Sequence, residues 1–193
     1  MDGQALILRN VSNYISITGE EQAYFLSLLQ SRNYHRKEYL QREGSNCNNF
    51  TFITTGCVKS YLLDQKGDEH ILTIAPADWW VVDYMSFVFE QPGNLFIEAI
   101  DNTSTLILTK EKREELFRKL PQFERYFRIL TERAFAVSQQ RVTDILSLTA
   151  AARFEKFQQR YAHIAASLTQ QQIASFIGVT PAFFSRMLKA KRK

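Results

Sequence analysis

The chain contains 193 residues, of which 45% are hydrophobic and 23% are charged, enough for one core and a small second unit. No apolar run approaches the roughly 20 residues of a membrane helix, and the N-terminus does not resemble a signal peptide, which favours a cytoplasmic protein with no membrane partner. The two cysteines, Cys47 and Cys57, are too few for a disulfide framework or an iron–sulfur site and are expected to be reduced thiols.

The net charge of +4 is distributed unevenly along the chain. From Ala150 onward there are eight basic residues and one acidic residue, a balance of +7, whereas residues 1–149 carry −3. Positive charge concentrated in one segment is typical of proteins that neutralise the phosphates of nucleic acids. The alternative is a basic tail that is only a solvated chain end.

The first part of the chain has the pattern of a helix followed by strands. Thr18 and Glu21 have the spacing of a capping box, which predicts that a helix begins there. From about Tyr34 to Thr109, short runs of β-branched and aromatic residues alternate with turn signals, which indicates an antiparallel sandwich or barrel. The predicted strands cover residues 50–54, 57–64, 70–75, 79–82, 96–100 and 105–109.

A short amphipathic helix over residues 110–120 and then a long helix after Pro121 are predicted next. About 28 residues at about 1.5 Å each make the long helix about 42 Å long. Its apolar residues alternate four and three positions apart, as in a coiled coil, with an interruption at Arg141. The helix either packs on the sheet or pairs with its copy in a homodimer, and the heptads favour the dimer. The predicted dimer seam is Phe123, Phe127, Leu130, Ala134, Val137, Ile145 and Leu148.

The last 25 residues, TQQQIASFIGVTPAFFSRMLKAKRK, predict two short helices joined by a tight turn. Thr169 can cap the first helix, with Gln172 closing a capping box. Gly178 supplies the left-handed residue at which a helix ends, and Thr180 and Pro181 begin the second helix. This is the layout of a DNA-binding helix-turn-helix. The alternative is an ordinary helical hairpin packed on the protein's own core.

A further helix with an apolar stripe over residues 153–164 is expected to cover this hairpin. Residues 162–168 are too few for a β-hairpin wing, so the helices and the basic tail should supply the contacts to duplex DNA. Phe183 either faces the DNA or turns into the core, and the pattern does not decide between the two. The predicted DNA-binding residues are Thr169, Gln170, Thr180, Pro181, Ala182, Phe183, Ser185, Arg186 and Lys189.

The order of these parts resembles that of the Crp/Fnr family of bacterial transcription regulators, and LTQQQIASFIGVTPAFFSRML is similar to the family's DNA-binding hairpin. The resemblance covers nearly the whole chain and implies an α+β fold. In it, residues 1–120 form a double-stranded β-helix of jelly-roll type, residues 121–149 a dimerisation helix, and residues 150–193 a helix-turn-helix domain without an evident wing. It implies double-stranded DNA and a homodimer partner, with RNA polymerase as a further candidate partner.

The recognition helix matches the family pattern E-x-x-S-R only in part. Ser185 and Arg186 stand at its last two positions, but Ala182 replaces the Glu. Arg186 can still meet a guanine edge in the major groove, whereas Ala182 can at most touch a thymine methyl group. The DNA sequences preferred by better-known members should therefore not be transferred to this chain.

Residues 78–99 are similar to the region that cradles a cyclic nucleotide in some members of the family. The Gly-Glu pair and the Arg of that region fall on Val82, Asp83 and Gly93, and no Arg or Lys lies between Val82 and Ala99. A buried phosphate would lack a countercharge, so cyclic AMP binding is not expected and no cofactor is predicted. The aromatic residues either fill the core or line an effector pocket for an apolar molecule, formed by Trp79, Trp80, Asp83, Tyr84, Phe87 and Phe96.

No pattern of a catalytic or metal site is present in the sequence. His35, His70 and His163 lack partners at the spacing that haem or a cupin-type metal site needs, and no nucleophile or phosphate loop is recognisable. We therefore expect a DNA-binding regulator and not an enzyme. A cupin-type metalloenzyme remains one alternative, and a protein-interaction module that has lost DNA specificity, suggested by Ala182 and Phe183, is the other.

Overall fold

The computed structural model describes residues 2–191. The predicted role of the basic tail rests on the side chains of residues 191–193, which lie outside the described part. The helices are α1 (Gly3–Ser12), α2 (Gly19–Ser27), α3 (Tyr84–Phe89), α4 (Lys110–Lys119), α5 (Gln122–Ser147), α6 (Ala150–Tyr161), α7 (Gln170–Ile177) and α8 (Pro181–Lys191). The strands are β1 (Gln30–Tyr34), β2 (Tyr39–Gln41), β3 (Asn49–Thr55), β4 (Cys57–Leu63), β5 (Glu69–Pro76), β6 (Trp80–Val81), β7 (Phe96–Ala99) and β8 (Thr103–Thr109).

The strands form two antiparallel sheets, in the orders β1-β8-β3-β6 and β2-β7-β4-β5. Apolar side chains from both sheets meet between them, among them Ile53, Val58 and Ile97. Gly56 joins β3 to β4 with a φ of 81°, and a Cβ there would lie 2.6 Å from the carbonyl oxygen of Asn102, so the turn requires glycine. The jelly-roll-like β-domain expected from the sequence is confirmed.

Helices α1, α2 and α4 and the start of α5 cover the first sheet. Helix α1, which the sequence analysis missed, begins at Asp2, whose carboxylate caps the Gln4 N–H, and buries Ile7 and Val11. Helix α2 has the predicted capping box between Thr18 and Glu21. These helices complete the larger of the hydrophobic clusters in the β-domain.

The first two turns of α5 belong to this cluster and not to a dimer surface. Phe123 and Phe127 are buried against the sheet and the neighbouring helices, so the predicted seam is wrong at these two residues. Tyr126 lies beside them and donates a hydrogen bond to Asn10 Oδ1 at 2.7 Å, while its hydroxyl accepts one from Trp80 Nε1 at 2.9 Å. Aromatic residues at a and d positions fill a core as readily as a coiled-coil seam.

Helices α6, α7 and α8 pack on the outer face of the second sheet. Their apolar residues, including Phe157, Ile177 and Phe184, form one cluster with Tyr61 and Ile71 of the sheet. Within residues 2–191 no strand follows β8, in agreement with a helix-turn-helix domain that lacks a wing. No described helix has both the length and the apolar character needed to span a bilayer.

Candidate nucleic-acid interface

Helices α7 and α8 form the tight hairpin that the sequence predicts. Thr169 caps α7 and exchanges hydrogen bonds with Gln172, with the backbone N–H of each residue donating to the side-chain oxygen of the other. Gly178 ends α7 with a φ of 73°, and Val179 N donates to the carbonyl of Ala174 at 3.0 Å. Thr180 Oγ1 then accepts from the backbone N–H of Phe183 and fixes the first turn of α8.

The two faces of α8 are chemically distinct. Phe184 is 1% exposed and packs edge-on against Phe154 of α6, at 5.0 Å between ring centroids. The opposite face is open to solvent and carries Ala182, Arg186 and Lys189. No described acidic side chain pairs with either basic residue, and the sequence contains no Asp or Glu after Glu155. The hairpin therefore presents uncompensated positive charge on an open helical face.

Phe183 belongs to the open face. It is 44% exposed, whereas its neighbour Phe184 occupies the core position. Phe183 is therefore not a core residue, because the helical spacing of Phe184, Met187 and Leu188 places those three side chains in the cluster instead. The remaining predicted contact residues lie around the same face or at the N-terminal ends of the two helices, with Thr169, Gln170, Thr180 and Pro181 exposed and Ser185 half-buried.

The middle of α5 is exposed on all sides. Every residue from 131 to 140 is exposed, which is nearly three turns of helix, and Thr131 and Arg133 at its start touch Tyr84 and Tyr14 of the same chain. Of the predicted seam, Ala134, Val137 and Ile145 are exposed, while Leu130 and Leu148 are half-buried. Open apolar residues that the prediction omitted lie beside them, namely Phe135, Val142 and Leu146.

The predicted aromatic effector pocket is not formed. Trp80 and Phe87 pack in the cluster beneath α5, and Phe96 stacks on Tyr61 at 5.2 Å. Trp79 is partly buried against the inter-sheet cluster, with the Arg160 guanidinium 5.2 Å from its ring centre. Tyr84 is partly exposed, and its hydroxyl lies 3.3 Å from Thr131 Oγ1 of α5. Trp80, Tyr84 and Phe87 pack around the ring of Phe50, whereas Trp79 and Phe96 pack against other clusters, so the predicted residues fill the core and do not line one cavity.

Asp83 has a structural role at the position where a cyclic nucleotide-binding domain places its Glu. It is fully buried, and its Oδ1 accepts from Ser86 N, which caps α3, while its Oδ2 accepts from Gln41 Nε2 at 3.2 Å. A Cβ at Gly93 would lie 2.2 Å from Asp83 Oδ2, so no longer side chain fits there without rearrangement. The residues present do not fit a cyclic nucleotide held in the family's manner.

A cavity of about 240 Å³ does lie in the β-domain, with a different lining. Its apolar floor includes Val81 and Ile97, and Arg32 and Arg42 lie in its wall. None of the six predicted pocket residues lines it. No cluster of three or more His, Cys, Asp or Glu side chains suited to a metal ion occurs in the described part of the chain.

Comparison with known proteins agrees with this architecture. Residues 31–119 match the family model of the cyclic nucleotide-binding domain. No curated protein sequence matches the chain.

Solved structures match over most of the chain. The c-di-GMP-responsive global regulator CLP of Xanthomonas campestris is similar with a TM-score of 0.73 and 13% identity, covering 91% of this chain and 92% of that one. FixK2 of Bradyrhizobium japonicum has a TM-score of 0.73 and 19% identity, covering 85% and 84%. A Crp/Fnr family transcriptional regulator from Eubacterium rectale has a TM-score of 0.72 and 16% identity, covering 91% and 84%. Residues 31–119 thus match the model of the cyclic nucleotide-binding domain, and the chain as a whole shares the fold of these solved Crp/Fnr-type structures.

Proposed function

We propose that the protein is a homodimeric transcription regulator of the Crp/Fnr type that binds specific sequences of double-stranded DNA in the cytoplasm. The observation that carries the proposal is the open face of α8, which carries Phe183, Arg186 and Lys189, with no ion pair between either basic residue and a described acidic side chain. A helix capped by Thr180 and supported by α7 can enter a major groove with this face forward.

The side chains on this face divide by chemistry into base-reading and phosphate-binding groups. Arg186 can donate both arms of its guanidinium to the O6 and N7 atoms of a guanine. Lys189 and the capped N-terminus of α7 at Thr169 suit phosphate oxygens, which position the protein without reading sequence. Ala182 and Phe183 are apolar and suit thymine methyl groups or sugars, which implies a half-site that differs from those read by a Glu at this position.

The dimer is proposed to form through the uncovered part of α5. Phe135, Val142 and Ile145 are spaced seven and three residues apart and therefore lie along one side of the helix. A side chain such as Phe135, 63% exposed on a helix that its own chain leaves bare, gains stability when a second copy covers it. Two copies joined along α5 place two α8 helices at symmetric positions, as a palindromic DNA site requires.

The β-domain is proposed to act without cyclic AMP. The cap formed by Asp83 and the lack of space at Gly93 support this, since the Asp83 carboxylate already accepts two hydrogen bonds and no Arg or Lys lies between Val82 and Ala99. An effector of another kind, or none, is compatible with the β-domain. RNA polymerase is a further candidate partner of the proposed regulator.

Selection from genomic DNA tests the proposal directly. Purified full-length protein is mixed with sheared genomic fragments at physiological salt, and the bound fragments are recovered and sequenced. We expect enrichment of fragments that share an inverted repeat with half-sites about one helical turn apart. Equal recovery of unrelated fragments would favour the protein-interaction module, and a stoichiometric transition metal in the same preparation would favour the cupin-type enzyme.

A further inference from the structure

Arg141, which interrupts the heptad pattern of α5, points toward its own chain. Its guanidinium donates hydrogen bonds to the backbone carbonyls of Ile71 and Leu72 in β5 and of Phe176 in α7. The bonds to Ile71 and Phe176 measure 2.6 and 2.7 Å, and the guanidinium lies 4.2 Å from the centre of the Phe176 ring. One side chain thus joins the long helix, the edge of a sheet and the first helix of the hairpin.

The point of attachment on β5 is irregular. The pairing of β5 with β4 shifts register beside Tyr61, so that Leu72 has no partner opposite it. An unpaired residue of this kind is a β-bulge, which turns a backbone carbonyl away from the ladder. Since β5 is also the last strand of its sheet, its outer backbone groups are free to accept bonds from Arg141.

Ser175 of α7 attaches to the same stretch of β5. Its hydroxyl accepts a hydrogen bond from Ile71 N at 2.9 Å and donates one to the carbonyl of Glu69 at 2.5 Å. In this way a helical side chain takes the place of a neighbouring strand at the sheet edge. Arg141 and Ser175 together satisfy four backbone groups of β5 between Glu69 and Leu72.

Apolar contacts and a second arginine strengthen the attachment. Ile71 and Ile74 share a cluster with Ala174, Ile177 and Phe184 of the hairpin. Arg153 of α6 donates to the carbonyl of Ile177 at 2.7 Å and to that of Leu148 at 2.7 Å, and so connects the C-terminal ends of α7 and α5. Burial lowers the pKa of Arg141 to about 10, which leaves its guanidinium charged at neutral pH.

We propose that Arg141 and Ser175 are positioning residues that hold the DNA-binding hairpin against the bulge of β5, and that this contact sets the half-site spacing that the dimer accepts. The inference rests on the proposed function. Helix α7 is attached to β5, which is a strand of the β-domain, and the proposed dimer helix α5 is anchored in the same domain. When this attachment is rigid, the distance between the two α8 helices of the dimer is fixed. Without these hydrogen bonds, the apolar cluster alone holds each hairpin on the sheet, and we expect the hairpin to shift about the link between α5 and α6 and to accept other spacings.

The test compares Arg141→Met and Ser175→Ala with the wild type and with Arg128→Met. Arg128 is an exposed residue of the same helix that pairs with Glu132, so its replacement removes a charge from α5 but not the contact. Full-length proteins are titrated against the selected inverted repeat, against the same repeat with one or two base pairs inserted between its halves, and against a single half-site.

We expect the wild type and Arg128→Met to reject the lengthened sites. Arg141→Met and Ser175→Ala should lose this discrimination by about fivefold or more while binding the single half-site nearly as well as the wild type. The double variant should lose little more than the stronger single variant, because both residues serve one contact. Unchanged spacing discrimination in Ser175→Ala, which removes only a hydroxyl group and is expected to fold, would overturn the proposal.

Hydrogen exchange of the Ile71 amide tests the contact between α7 and β5 without DNA, and therefore independently of the proposed function. In the wild type we expect slow exchange, because Ile71 N donates to Ser175 Oγ, and faster exchange in Ser175→Ala with the neighbouring ladder of β5 still protected. Fast exchange in the wild type would refute the contact whatever the protein binds. Slow exchange in a protein that selects no DNA would refute the proposed function and the role in spacing, while leaving the contact itself in place.

Discussion

Both thiols of the chain are buried, and burial raises the pKa of each, with Cys47 slightly the more exposed at 5%. Cys57 is 1% exposed, and burial raises its pKa to about 12, with the Asp101 carboxylate acting in the same direction. Because only the thiolate is nucleophilic, we expect iodoacetamide at pH 8 to leave Cys57 unmodified in the folded protein and to modify it in denaturant, as measured by peptide mass mapping. Cys47, which lines the cavity in the β-domain, serves as the internal comparison and should react sooner. Faster labelling of Cys57 in the native protein would contradict its placement.

Arg186 is the residue on which base recognition is expected to depend. Replacement by Ala should weaken binding to the selected site by about 1–3 kcal/mol and relax the preference at one base pair of each half-site. Fluorescence anisotropy with single-base variants of the site measures both effects. Arg36→Ala, which removes an exposed arginine from the β1–β2 loop, is the matched control and should bind like the wild type. Equal affinity of Arg186→Ala and wild type would show that α8 does not read bases.

At the scale of elements, the turn between α7 and α8 depends on one glycine. Gly178 has a φ of 73°, a conformation that costs an L-residue about 1–2 kcal/mol. Gly178→Ala should therefore lower the free energy of unfolding by about that amount in urea denaturation. Gly19→Ala is the control, because Gly19 lies in the first turn of α2 with open space around it and should tolerate or gain from the change. Equal stability of the two variants would argue against the left-handed turn.

Elements with local signals could be predicted from the sequence, and elements defined by distant contacts could not. The capping boxes at Thr18 and Thr169 and the glycine turn at Gly178 are properties of a few neighbouring residues, and the structure has all three. Helix α1 was missed because its apolar residues can be recognised as a buried face only when the sheet that they pack on is known. The same holds for α3, whose N-cap Asp83 was interpreted as a ligand contact.

In the candidate site, too, features with local signals could be predicted and features that depend on distant contacts could not. The open face of α8 followed from helical spacing, since Phe184, Met187 and Leu188 point to one side and leave Arg186 on the other. The aromatic pocket was wrong because tertiary packing decides which of several aromatic residues share a cluster. Arg141 could be recognised only as an interruption of a pattern, because its partners in β5 and α7 are backbone carbonyls without a sequence signature.

At the scale of the whole molecule, the uncovered part of α5 predicts the oligomeric state. Phe135→Asp should convert a dimer into a monomer, because it places a charge in the proposed apolar interface. Light scattering at micromolar concentration measures the change. Met85→Asp is the control, since Met85 is similarly exposed but lies on α3, and it should remain dimeric. A wild-type monomer under these conditions would remove the basis for the proposed dimer.

The β-domain is expected not to respond to cyclic AMP. A ligand that binds only the folded state raises the melting temperature, so millimolar cyclic AMP should leave the thermal unfolding curve of the full-length protein unchanged. The physical reason is the engagement of Asp83 in capping α3 and the crowding at Gly93. Cyclic GMP serves as a second probe with the same expectation. A rise that grows with nucleotide concentration would mean that the segment around Gly93 rearranges to admit a phosphate.

The ten consecutive exposed residues of α5 have a consequence for gene dosage. If only the dimer binds its DNA site, and most chains are monomers, the occupancy of that site rises with the square of the protein concentration. Halving synthesis should then reduce promoter occupancy about fourfold where most chains are still single. If the proposed dimer is the form that binds DNA, genes under its control would respond more steeply than linearly to its expression level.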